Sequence, residues 1–182
     1  MRHKAVHKSR ARAGLALLLA VGLNPWVQAA DNLRFKGNLV EQACTIRPGD
    51  EAITLELWDT TSKHLYINTR TVGMGFKLHL EDCDTTIGET VTILFGGAQN
   101  PQLPGLFALD SGSGASGIGL GLETLSNKPL PVNKVSDEQV LTTGSNVIEL
   151  KAYVQGEPNA IRDQTIGHGA YRVSSIFTLD YP

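Results

Sequence analysis

The sequence predicts an all-β fold, a sandwich of short strands, on three observations. Apolar residues alternate with polar ones along much of the chain, while a 3.6-residue periodicity is weak throughout. Glycine is frequent, at 19 of 182 residues, and clusters of turn-forming residues separate the alternating runs at roughly regular spacing. Aromatic residues make up only 6%, against 41% hydrophobic and 19% charged residues, the composition of a chain that folds rather than stays disordered.

The first thirty residues read differently. Arg2, Lys4, Lys8, Arg10 and Arg12 precede an apolar run from Leu15 to Leu23, and Val27-Gln28-Ala29-Ala30 follows. A basic start, a short apolar stretch and small residues at its end make an export signal, residues 1–30, with cleavage after Ala29 or, as preferred here, Ala30. The run is too short for a durable membrane span. Removing the segment takes five of 16 basic residues and no acid, leaving 11 against 18 and a net charge of −7. An acidic surface disfavours nucleic acid and anionic membranes as partners.

The alternating runs come in the following order. Leu33, Phe35, Gly37 and Leu39 share one phase, and Ile53, Leu55 and Leu57 the next. Phe76, Leu78 and Leu80 alternate with Lys77, His79 and Glu81, then come Val91, Ile93 and Phe95. Ile118, Leu120 and Leu122 follow a Gly/Ser stretch, and Val147 to Val154 reads as a longer strand. The last run sets Tyr171, Val173, Ser175, Phe177, Leu179 and Tyr181 on one face. Turns are expected at Pro48-Gly49-Asp50, Asp82 to Thr86, Asn100-Pro101, Asn127-Lys128-Pro129 and Glu157-Pro158-Asn159, and a short helical turn near Val135 to Val140.

Cys44 and Cys83 are the only cysteines, and an exported pair is expected to form a disulfide. Closing a loop of that length contributes about 4 kcal/mol in the chain-entropy description. Motifs for chemistry are missing. His64, His79 and His168 have no i, i+4 partner or short metal-ligand spacing, and no GxSxG, HExxH or phosphate-loop pattern occurs. Glu81, Asp82 and Asp84 read as a solvated turn, and Trp58 alone offers no sugar platform. The reading is therefore a non-enzymatic chain with no cofactor, no metal site and no small-molecule substrate.

Four stretches, taken together, resemble one family. Residues 33–44 (LRFKGNLVEQAC) resemble the N-terminal extension and first cysteine of chaperone–usher pilus subunits. FKLHLEDCDTTIGETVTILFGG is similar to the segment around the family's second cysteine, and GIGLGLETLSNKPLPVN to its glycine-alternating strand and turn. Residues 169–182 (GAYRVSSIFTLDYP) resemble its C-terminal strand, with Tyr181 as the penultimate tyrosine. The resemblance implies an incomplete immunoglobulin-like β-sandwich lacking its last strand. A donor strand from a periplasmic chaperone, and then from a neighbouring subunit, would complete it.

By that resemblance residues 31–41 are the donor extension, with Leu33, Phe35, Gly37 and Leu39 facing the neighbour, and residues 42–182 are the pilin domain. Alternation alone favours reading 31–41 as the domain's own first strand. Tyr171, Val173, Phe177, Leu179 and Tyr181 would line the acceptor groove that the chaperone also contacts. The terminal carboxylate, which the family anchors on basic chaperone residues, falls here on Pro182, a departure that removes one backbone donor. The implied partners are a periplasmic pilus chaperone, an outer-membrane usher and other subunits, with passage through the periplasm to an extracellular pilus. The leading expectation is a minor structural or adaptor subunit; an assembly terminator, which would share the N-terminal extension but lack a receptive groove pocket, is an alternative. A secreted binding module that recognises a surface ligand directly is the alternative from another class.

Overall fold

The computed structural model describes residues 41–182. The export signal and the donor residues Leu33, Phe35, Gly37 and Leu39 lie outside the described residues. Two antiparallel sheets carry the fold. The larger is built from β1 (Thr45–Ile46), β2 (Met74–Cys83), β6 (Gly144–Gly156) and β4 (Ile118–Thr124), in the order β1-β2-β6-β4. The smaller has β3 (Thr90–Gly96) at its centre, flanked by β5 (Gln139–Val140) and β7 (Ile176–Asp180).

Alternation decides which side chains face inward. Leu78 and Leu80 of β2, Ile148, Leu150 and Ala152 of β6 and Leu122 of β4 come from one sheet. Val91, Ile93 and Phe95 of β3 come from the other, and all are buried in one core. On the outer face of β2 and β6, Lys77 and Glu149 form a cross-strand ion pair at 2.7 Å. The disulfide Cys44–Cys83 is formed and both residues are buried beside this core.

Two short helices were not foreseen. α1 (Ser62–Asn68) starts at Thr61, whose hydroxyl accepts from the His64 N–H at 3.2 Å. α2 (Pro158–Arg162) occupies the expected Glu157-Pro158-Asn159 turn, with Pro158 in the first helical turn, where a missing N–H is harmless. Under them lies a second cluster that includes Leu65, Ile118, Val154, Ala160 and Ile166. Each helix has too few apolar positions for a periodicity to register in the sequence.

The helical turn expected near Val135 to Val140 is not formed. The edge of β3 takes the segment's backbone instead: Ser136 N–H donates to Ile93 O and Leu141 N–H to Glu89 O, both at 2.9 Å. Val140 pairs with Thr90 and Val135 bridges to Leu94. His79, expected at the surface, is half-buried, and its backbone N–H and Nδ1 both lie 2.7 Å from Asp50 Oδ2. Those contacts hold the Asp50 carboxyl below its ordinary value.

Candidate functional site: an open edge over the core

β7 is bonded along one side only. Its register with β3 runs from Thr92 opposite Asp180 to Gly96 opposite Ile176, and its other edge has no strand partner among the described residues. An unpaired edge offers alternate N–H and C=O groups to any extended chain laid beside it.

Its side chains are equally incomplete. Phe177, Leu179 and Tyr181 face the core between the sheets, yet each is only partly buried, while Ile176, Thr178 and Asp180 are exposed. The Phe177 ring stands 6.4 Å from that of Phe95, tilted by 52°. Val173 packs on the same core and Tyr171 on the second cluster. Burial raises the phenol pKa of Tyr181, and that of Tyr171 through burial together with the Asp59 carboxylate. Regular strand is confined to 176–180. Ahead of it, Arg172 O accepts from Asp110 N–H, and the Asp110 carboxylate accepts from Ser174 N–H and its hydroxyl. The alternation read through Ser175 breaks there: Ser175 is exposed, with its hydroxyl on Gly96 O.

A second wall escaped the site reading. Leu55 and Leu57 pack, partly buried, on the same core as Phe177 and Leu179. They belong to a stretch, 53–60, without regular secondary structure, that carries no strand pairing and no backbone–backbone hydrogen bond among the described residues. The Ile53/Leu55/Leu57 alternation is plain in the sequence, but alternation alone does not say whether a segment is paired. A strand with one free edge and an unpaired stretch thus pack side chains, only partly buried, on one apolar core. Such an arrangement leaves backbone groups without a strand partner and apolar side chains incompletely covered among the described residues. It does not supply a nucleophile or a base, and among the described residues no group of three or more His, Cys, Asp or Glu could hold a metal ion.

Comparison with known proteins agrees with this architecture. Residues 33–181 match the family model described as fimbrial protein. Over 174 residues the chain is 28% identical to the Fimbria A protein of Serratia marcescens, covering 92% of this chain and 95% of that one. It is 29% identical, also over 174 residues, to the fimbrial adapter PapK of Escherichia coli, with coverages of 91% and 96%. The crystal structure of the P pilus rod subunit PapA shares the fold with a TM-score of 0.67 at 18% identity, over 78% of this chain and 100% of that one. An incomplete immunoglobulin-like sandwich and a family match spanning both cysteines and the final strand lead to one assignment: this chain belongs to the fimbrial protein family, the subunits of chaperone–usher pili.

Proposed function

We propose that the subunit polymerises by strand donation, with the gap between β7 and the 53–60 stretch as its acceptor groove. The observation that carries this reading is the row Phe177, Leu179 and Tyr181, aimed into the core yet partly buried, on a strand with one paired edge. A periplasmic chaperone strand fills the groove first. At the outer-membrane usher, the 31–41 extension of the next subunit replaces it. Leu33, Phe35 and Leu39 of that extension each contribute about 1.5–3 kcal/mol once buried, and Gly37 passes over a position where a larger side chain would clash. Tyr171 and Val173 continue the groove floor toward the second cluster.

Within the fibre we assign a minor adaptor position, supported by the likeness to the fimbrial adapter PapK over 91% of the chain. Immunogold counting of copies per fibre tests it: one or a few copies near the tip fit an adaptor, and labelling along the whole shaft fits a rod subunit.

The groove reading is tested by comparing thermal unfolding of two exported versions. One is the mature chain. The other carries a second copy of residues 31–41 after Pro182, joined by a short flexible linker. A large rise in melting temperature with loss of polymerisation supports the reading. Equal stability, with the unmodified chain a well-behaved monomer, overturns it.

A further inference from the structure

The outer face of the larger sheet carries a cleft lined by no residue of β7, and the hollow beside it reaches the 53–60 stretch at Leu57, Trp58 and Asp59. It has a volume of about 360 Å³ and adjoins a second hollow of about 220 Å³; His64, Thr71 and Val72 line both. Together they reach the range of small-ligand sites.

The cleft floor is a built ion-pair cluster. Tyr153 lies against Gly121 on the neighbouring strand, where an added Cβ would fall 2.2 Å from its ring. The Arg70 guanidinium stacks 4.1 Å from the Tyr153 ring centroid and donates from Nη1 and Nη2 to the two Glu123 oxygens at 2.9 and 3.3 Å. Glu123 is 2% exposed and Arg70 37%, so the carboxylate lies beneath and the cation faces the cleft. Lys151 Nζ stands 3.3 Å from Glu123 Oε1 and donates to Leu125 O and Asn127 Oδ1. At Gly73 a Cβ would come within 3.0 Å of both Glu123 Oε1 and Lys151, so a side chain there would crowd the pair. The chain enters Arg70 through a γ-turn: Thr69 holds φ 68°, and Arg70 N–H bonds Asn68 O at 2.7 Å. That conformation is strained for a β-branched residue.

Two cations over one buried carboxylate leave a local positive excess. Outside this cluster, residues 41–182 carry seven basic against 16 acidic residues, so this spot stands apart from its surroundings. The remaining groups are mostly donors. Asn68 Nδ2 donates to His64 Nδ1 at 3.3 Å, which places the ring proton on Nε2. Asn127 has its oxygen engaged and its NH2 to offer. At the other end stand Trp58, 64% exposed, and Asp59. An anion is repelled from the Asp59 end and drawn to Arg70. A flat apolar ring face suits Trp58, and hydroxyls suit Asp59 as an acceptor.

We infer that this cleft binds a carboxylated sugar, its carboxylate at Arg70 and its ring against Trp58. The test is saturation-transfer NMR on the full exported chain with D-glucuronic acid and N-acetylneuraminic acid as probes, and glucose and acetate as controls. Saturable binding of either acid, or both, is expected, with glucose and acetate at least about tenfold weaker. Trp58→Ala and Arg70→Lys are each expected to weaken it about tenfold. Trp58→Ala leaves thermal unfolding unchanged, so its loss of binding is not a loss of fold. No saturation by either acid at about ten-millimolar concentration overturns the inference. So does acetate binding as tightly as the sugars, or binding that survives both substitutions.

Discussion

β6 and β7 both read in the sequence as alternating strands, yet the fold treats them differently. β6 lies between β2 and β4, and its inward residues Ile148, Leu150, Ala152 and Val154 are at most 3% exposed. β7 is paired on one side, and its inward residues Phe177, Leu179 and Tyr181 remain half-covered. The alternation decides which face a side chain takes. The number of neighbouring strands decides whether that face is sealed. In this chain β6 is sealed on its inward face, and the inward face of β7 is left partly open.

The largest expected effect is on the sealed strand. Leu150→Ala removes a side chain that is 1% exposed from the centre of the core and destabilises the chain by about 2–5 kcal/mol, measured by denaturant unfolding. The loss is the same whether or not the groove is filled. Phe177→Ala behaves differently. In the chain with an empty groove the ring is already partly in water, so its removal costs about 1 kcal/mol; in the version completed by an appended 31–41 segment the loss rises to about 3 kcal/mol. Equal losses in both versions would erase the distinction between the two strands.

Much of this is legible because apolar residues alternate along β2, β3 and β4 and β6 carries a long apolar-rich run, and the cysteine pair follows from export. What the sequence hid is non-local. Ile53, Leu55 and Leu57 alternate as cleanly as Val91, Ile93 and Phe95, and nothing within the segment says that one lacks partners while the other has two. Val135 to Val140 is decided by the free edge of β3, some 40 residues earlier in the chain. The Arg70–Glu123–Lys151 cluster escaped for the same reason: it joins a helix end to two strands, and no short spacing marks it.

That cluster gives a smaller effect on the β6 side of the comparison. Burial alone would raise the Glu123 carboxyl, but hydrogen bonds from Arg70 and Lys151 outweigh it and hold the pKa below the ordinary 4.5. With the folded value lowered, the stabilisation is complete above 4.5 and is lost as pH falls through the folded value. Glu123→Gln therefore costs about 1–2 kcal/mol at neutral pH, less than a fully enclosed pair because Arg70 can rehydrate. Melting temperature against pH should fall less steeply below about 4.5 in the variant than in the parent. Parallel curves would mean that the carboxylate gains nothing from its two partners.

The smallest effect sharpens the comparison most, because it stays within one strand. Ile176 begins β7, next to Phe177, and is 79% exposed on the face away from the core. Ile176→Ser changes strand propensity and exposed area at a position that shares Phe177's backbone pairing with β3. Surface substitutions of this kind stay within about 0.5 kcal/mol. The variant should therefore match the parent in melting temperature and in fibre yield, whereas Phe177→Ala lowers the fibre yield. If it does, the sensitivity of β7 follows side-chain direction and not the strand as a whole, as a groove requires. If Ile176→Ser lowers fibre yield while leaving the melting temperature unchanged, the outer face of β7 is itself a contact between subunits. The strand would then have a second working face.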